Sequence, residues 1–227
     1  MSTLPPESPP PASGAAGGLP WEEREKRGFF QSLSDTMGLF VSRPAEAWAR
    51  TRESGDFLSP FLFGTLVAWF SFVIHRLVGR IFTLPMLPGS FGRRLGAMEG
   101  YTAVGFFLHV ILSPIFIAIA LFVAAAILHV CCLIVGALAA SRSGFEGTFR
   151  VVAYSEIASL AGIIPVVGGV IAIIWWIVLA VMGVQRLHRT SQGKALAAVF
   201  IPIILCCGGI FLLGILAGAA FLMRGAR

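Results

Sequence analysis

One acidic side chain, Glu156, falls inside an apolar stretch of the chain. A carboxylate in hydrocarbon is costly, so it faces a bundle interior or water. The chemistry open to it there is binding or relaying a proton or a cation. A second reading comes from position. Counted from Arg150, Glu156 lies about 9 Å along a helix, close enough to a surface to be wetted. Another grouping is His129 with Cys131, Cys132, Cys206 and Cys207. Thiolates with imidazole suit zinc or Cu(I). However, adjacent cysteines point about 100° apart on a helix, and the spacing matches no metal motif. Packing as small buried hydrophobes is the better account, and no metal or other cofactor is expected. The segment Arg186, His188, Arg189, Thr190, Ser191 and Lys194 is basic. It reads either as contact with anionic lipid or an acidic partner, or as a topology anchor with a helix cap at Thr190 or Ser191. Tyr154 and Ser155 offer hydroxyls for interhelical hydrogen bonds. The chain holds no His-Glu-x-x-His, no Gly-x-Ser-x-Gly and no phosphate-binding glycine loop, so no catalytic residue is assigned and a noncatalytic protein is expected.

These groups need elements to hold them, and composition says in what solvent. Of 227 residues, 57% are hydrophobic and only 12% charged, against about 25% charged in soluble domains. The mean hydropathy is +0.87. This places the chain among membrane proteins. The net charge of +6 then reads as positive-inside anchoring and attraction to anionic lipid. Nucleic acid is the poorer partner, because no basic domain stands apart from the apolar segments. Both cysteine pairs lie in apolar runs, which excludes a secreted disulfide framework.

The fold expected is an all-α integral membrane bundle of about five transmembrane helices. Residues 1–28 read as a disordered, Pro-rich tail, with Pro5, Pro6, Pro9, Pro10, Pro11 and Pro20 and no signal-peptide pattern. Residues 29–56 carry interfacial helices. In the first, Phe29, Phe30, Leu33, Met37, Phe40 and Val41 recur at helical spacing; the second starts at Pro44 and ends near Gly55. The bundle fills residues 57–223, with spans over about 58–78, 115–138, 148–164, 166–184 and 195–223. The first reaches about 31 Å, matching the hydrocarbon core. Pro114 is expected to break the long apolar run before the second, leaving 106–113 as a lead-in. Pro165, Gly168 and Gly169 form the turn between the third and fourth. With the N-terminus cytoplasmic, Lys and Arg divide 11 inside against 6 outside.

The motifs in this second half carry a resemblance. They run in order: Phe149-Arg150, Ala153-Tyr154-Ser155, Ile164-Pro165, Gly168-Gly169, Trp175, Gly183, His188, Ser191 and Lys194-Ala195, with a weaker echo around Pro44 and in residues 57–63. Over residues 29–222 the chain resembles the Yip1-domain family of multipass membrane proteins. The resemblance implies a membrane scaffold or adaptor acting through lipid, homo-oligomer or other partner contacts, and it carries an analogy to small-GTPase contact in vesicle traffic. The alternative is a small transporter or channel using Glu156 and the Pro165–Gly169 break, where irregular backbone lines a cavity.

Overall fold

A computed structural model of the chain describes residues 18–78, 103–205 and 208–209. A 3-10 turn over Pro20–Glu23 leads into α1 (Arg24–Arg27), α2 (Phe29–Ser42), α3 (Pro44–Arg50) and α4 (Leu58–Val78). Next come α5 (Ala103–Ile134), α6 (Gly144–Ser155) with a 3-10 continuation over Glu156–Ile163, α7 (Gly168–His188) and α8 (Gln192–Leu205). No strand occurs among the described residues. Residues 58–78, 105–134 and 168–188 are long and apolar enough to cross a membrane, and α8 is a shorter apolar helix. Their outward positions carry Phe70, Ile115, Ile119, Val130 and Ile174, as lipid contact requires.

The tail expected over residues 1–28 divides. Residues 1–17 lie outside the described residues, whereas 18–28 fold against the bundle. Leu19 and Trp21 are fully buried there. Burying such side chains stabilises by about 1.5–3 kcal/mol each, enough to order a short segment. Gly28, at φ 88°, turns the chain from α1 into α2. The amphipathic pattern of α2 also resolves into two faces. Ser32, Thr36, Leu39 and Phe40 turn inward, while Phe30 (82% exposed) and Val41 (54%) turn out. Proline in its first turn starts α3 as expected, but the helix stops at Arg50 rather than near Gly55.

Pro114 does not break α5, which runs through it for 32 residues. Proline leaves the carbonyl four residues back without its helical donor. Here that carbonyl, on Val110, accepts the Trp69 indole N–H from α4 at 3.0 Å and the Ser113 hydroxyl at 2.9 Å. With the orphaned acceptor satisfied twice, the helix continues. It stops at Ile134, short of the expected 138, because Gly136 adopts φ 66°. The Ala137 N–H reaches back to Cys132 O (2.8 Å) and the Gly136 N–H to Leu133 O (3.0 Å). This Schellman closure satisfies the last carbonyls.

The third apolar segment starts earlier than expected, at Gly144, and changes winding at Glu156. It packs tightly on α4: a methyl group added at Gly64 would sit 2.9 Å from the Ala153 Cα. The Ser159 hydroxyl donates to Ser71 at 2.8 Å, and His75 Nδ1 donates to Gly162 O at 3.0 Å. The turn into α7 places Val166 at φ 69°. A side chain added at Gly168 would fall 2.2 Å from Ala161 O, so only glycine fits there. Of the fifth expected segment, residues 195–205 belong to α8; 206–207 and 210–223 lie outside the described residues.

Candidate functional site

The short helix α6 carries the buried Thr148, Arg150, Tyr154 and Ser155. Glu146, Arg150 and Tyr154 are four residues apart and so share one face. Arg150 is wholly buried. It donates from Nη1 to Glu22 Oε1 (2.9 Å), and from Nη2 to Glu146 Oε1 (2.7 Å) and Asp56 O (2.8 Å). The Tyr154 hydroxyl donates to the same Glu22 oxygen at 3.1 Å. The other Glu22 oxygen accepts the Arg52 backbone N–H at 3.2 Å, with Arg52 Nε at 3.7 Å. Burial raises the Glu22 carboxyl above the ordinary glutamate value, and the Arg150 charge only partly offsets this. At Asp56 the balance is reversed. Burial pushes it up, but hydrogen bonds from Ser59 and the charges of Arg24 and Arg150 bring it below its ordinary value.

Aromatic rings close over this charge knot. Phe40 stacks on Tyr154 at 5.6 Å, and Phe63 lies against it at 5.1 Å. Trp48 meets Tyr154 edge-on at 6.4 Å and Phe40 at 5.1 Å. The close seat of Trp48 needs Gly183, where a Cβ would come within 2.8 Å of the indole.

A second buried network joins α5, α6 and α7. Thr148 Oγ1 lies 2.8 Å from His129 Nδ1 and 2.9 Å from His188 Nε2, and His188 Nδ1 lies 2.8 Å from Ser141 Oγ. One hydroxyl proton cannot serve both imidazoles, so at least one ring donates to Thr148. His129 therefore bonds to Thr148. Cys131 and Cys132 are buried free thiols, and Cys206 and Cys207 lie outside the described residues. Among the described residues no group of three or more His, Cys, Asp or Glu is placed to hold a metal ion.

The basic segment is not a free loop. His188 is fully buried. Arg189 makes a two-pronged contact to Glu53 at 2.8 and 2.9 Å, with Arg186 at 3.6 Å from the same carboxylate. The Arg189 hydrogen bond holds Glu53 below the usual carboxylate range. Lys194 donates to Gly136 O at 3.1 Å. α7 is closed by Arg189 in the left-handed region, with the Thr190 N–H bonding Gln185 O.

The remaining candidates separate. Tyr154 bonds to the N-terminal segment rather than to another transmembrane helix, and the buried Ser155 hydroxyl has no partner among the described residues. Glu156 is half-buried and accepts the Trp176 indole N–H from α7 at 3.3 Å. The cavity of about 500 Å³ that Trp176 lines is apolar, bounded by Ala124, Leu128 and Val199 among others. Pro165, Gly168 and Gly169 form the turn following the 3-10 segment, away from the charge knot. Glu22, Glu53, Asp56, Glu146 and Thr148 were not singled out from sequence. A signal existed for one of them. Arg150 in an apolar run demands an acid, and Glu146 stands one helical turn before it.

Apolar helices of spanning length around a buried polar hub define an all-α, multipass integral membrane protein. The chain belongs to the Yip1 domain family, whose model matches residues 37–216. No match was found among curated proteins or among solved structures.

Proposed function

We propose that the protein is a noncatalytic membrane scaffold or adaptor, with its N-terminus cytoplasmic. Its working surface is the bundle end that gathers residues 18–57, the 141–144 loop and the 186–194 segment. The observation that carries this reading is the charge knot. Arg150, Glu22, Glu146 and Asp56 join the N-terminal elements to α6 in one buried unit, and Glu53 ties the α3–α4 link to the end of α7. Such bonding gathers these segments into one surface at that end of the bundle. Membrane lipids are a partner through the outward Phe30 and Val41 of α2; a second copy or another membrane protein and, by family analogy, a small GTPase are the remaining candidates.

Two measurements test it. In sealed vesicles, an impermeant maleimide reads single cysteines placed at Arg142 and Val166 of a cysteine-free chain. Labelling of position 142 from the cytoplasmic side and of 166 from the opposite side is expected; the reverse overturns the orientation. A photocrosslinker at Arg142 should then capture a purified small GTPase or a second copy. Crosslinks to lipid alone remove the adaptor role.

A small transporter built on Glu156 is the second reading, supported by its carboxylate meeting Trp176 between helices. Proteoliposomes would show cation or proton flux that Glu156→Gln abolishes. Flux equal to that of empty liposomes rejects this reading.

A further inference from the structure

We propose that residues 18–28 are an intramolecular ligand: a strap filling a peptide-recognition site whose ligand class is an aromatic residue followed directly by a carboxylate. Trp21 is the aromatic anchor. Its ring is fully buried, its indole N–H donates to Ser59 O at 2.7 Å, and its backbone N–H donates to Thr36 Oγ1 at 2.8 Å. Phe63 meets the ring at 6.0 Å. Glu22 is the anionic half, and among the described residues the groups that receive its carboxylate lie outside the strap: Arg150, Tyr154 and Arg52. A desolvated aromatic anchor beside a charge-assisted carboxylate contact is how peptide sites concentrate their affinity.

The receptor survives without its occupant. Arg150 keeps Glu146 at 2.7 Å and Asp56 O at 2.8 Å, so release of Glu22 does not strand a buried guanidinium. Tyr154 keeps its stack on Phe40. The strap itself holds little structure of its own, a 3-10 turn and one four-residue helix. A polar cavity of about 450 Å³, lined by Glu22, Arg24, Arg52 and Asp56, opens along its outer edge. The matched family region begins at residue 37. It therefore contains Arg52, Ser59, Phe63, Arg150 and Tyr154 but not the strap. Of the receptor groups named, Thr36 alone precedes the matched region, and the strap lies wholly before it.

This deepens the adaptor reading and rests on it for the displacing partner, a protein segment of the same aromatic–acidic chemistry. The test uses the full chain in lipid nanodiscs and a fluorescent synthetic peptide of residues 17–28. A Trp21→Ala/Glu22→Ala chain, its own strap disabled, should bind the peptide at least ten-fold more tightly than wild type. A peptide carrying Glu22→Ala, which removes the acceptor for Arg150, Tyr154 and Arg52, should bind that chain at least ten-fold more weakly. Equal binding of the two peptides, or none by a variant with wild-type helicity, overturns the proposal. Should the variant not fold, hydrogen exchange on the wild-type chain decides. Strap amides exchanging at least ten-fold faster than those of α6 support a separable ligand, and protection equal to α6 rejects it. No partner protein enters these assays. Failed peptide binding refutes the strap, whereas failed crosslinking with intact peptide binding refutes only the adaptor role.

Discussion

Glycines 168 and 169 are neighbours with opposite demands. A Cβ at Gly168 would lie 2.2 Å from Ala161 O, and one at Gly169 meets nothing within 4 Å. Gly168→Ala should therefore cost about 1–3 kcal/mol, while Gly169→Ala should be neutral or stabilise by up to about 1 kcal/mol. Thermal unfolding in detergent reads both. Two glutamates should also differ in how their contributions follow pH. Glu53 has a lowered value, so its contribution is present above the ordinary 4.5 and is lost as pH falls through the lowered one. Glu22 has a raised value, so its contribution is full below 4.5 and is lost as pH rises through the raised one. From acid toward neutral, the stability gap between wild type and Glu53→Gln should widen, and that between wild type and Glu22→Gln should narrow. Parallel curves would reject the assignment. The sequence made Gly168 visible as part of a turn but could not separate it from Gly169. That distinction depends on a carbonyl seven residues back in the chain, brought near only by the fold.

Among the elements, α5 departs furthest from what its sequence suggested. A proline in an apolar run of that length reads locally as a break, yet Trp69 on a different helix supplies the donor that Pro114 cannot. Trp69→Phe should destabilise the protein by about 0.5–1.5 kcal/mol, the usual worth of such a bond. In the Pro114→Ala background the same change should cost less, because alanine returns a backbone N–H to Val110. A double-mutant cycle with no coupling would show that the indole bond does not support the proline. Periodicity and caps made α2, α4 and the start of α3 legible, since those signals are local. The end of α5 and the ordering of residues 18–28 were not, because they rest on a left-handed glycine and on Arg150, 128 positions from Glu22.

At the scale of the whole molecule, membrane class and family were readable from composition and ordered motifs, while the assembly of the polar end was not. That end is built by pairings between distant segments, which no local pattern records. One further consequence lies in the third apolar segment, whose eight residues over Glu156–Ile163 wind as a 3-10 helix. A 3-10 helix rises about 2.0 Å per residue and an α-helix about 1.5 Å. The same eight residues thus differ by about 4 Å in length between the two windings. Wedged between α4 and α7, the segment spans about 16 Å as wound, where an α-helix of the same residues would span about 12 Å. That difference is of the size by which one cellular membrane differs in thickness from another, a few ångströms.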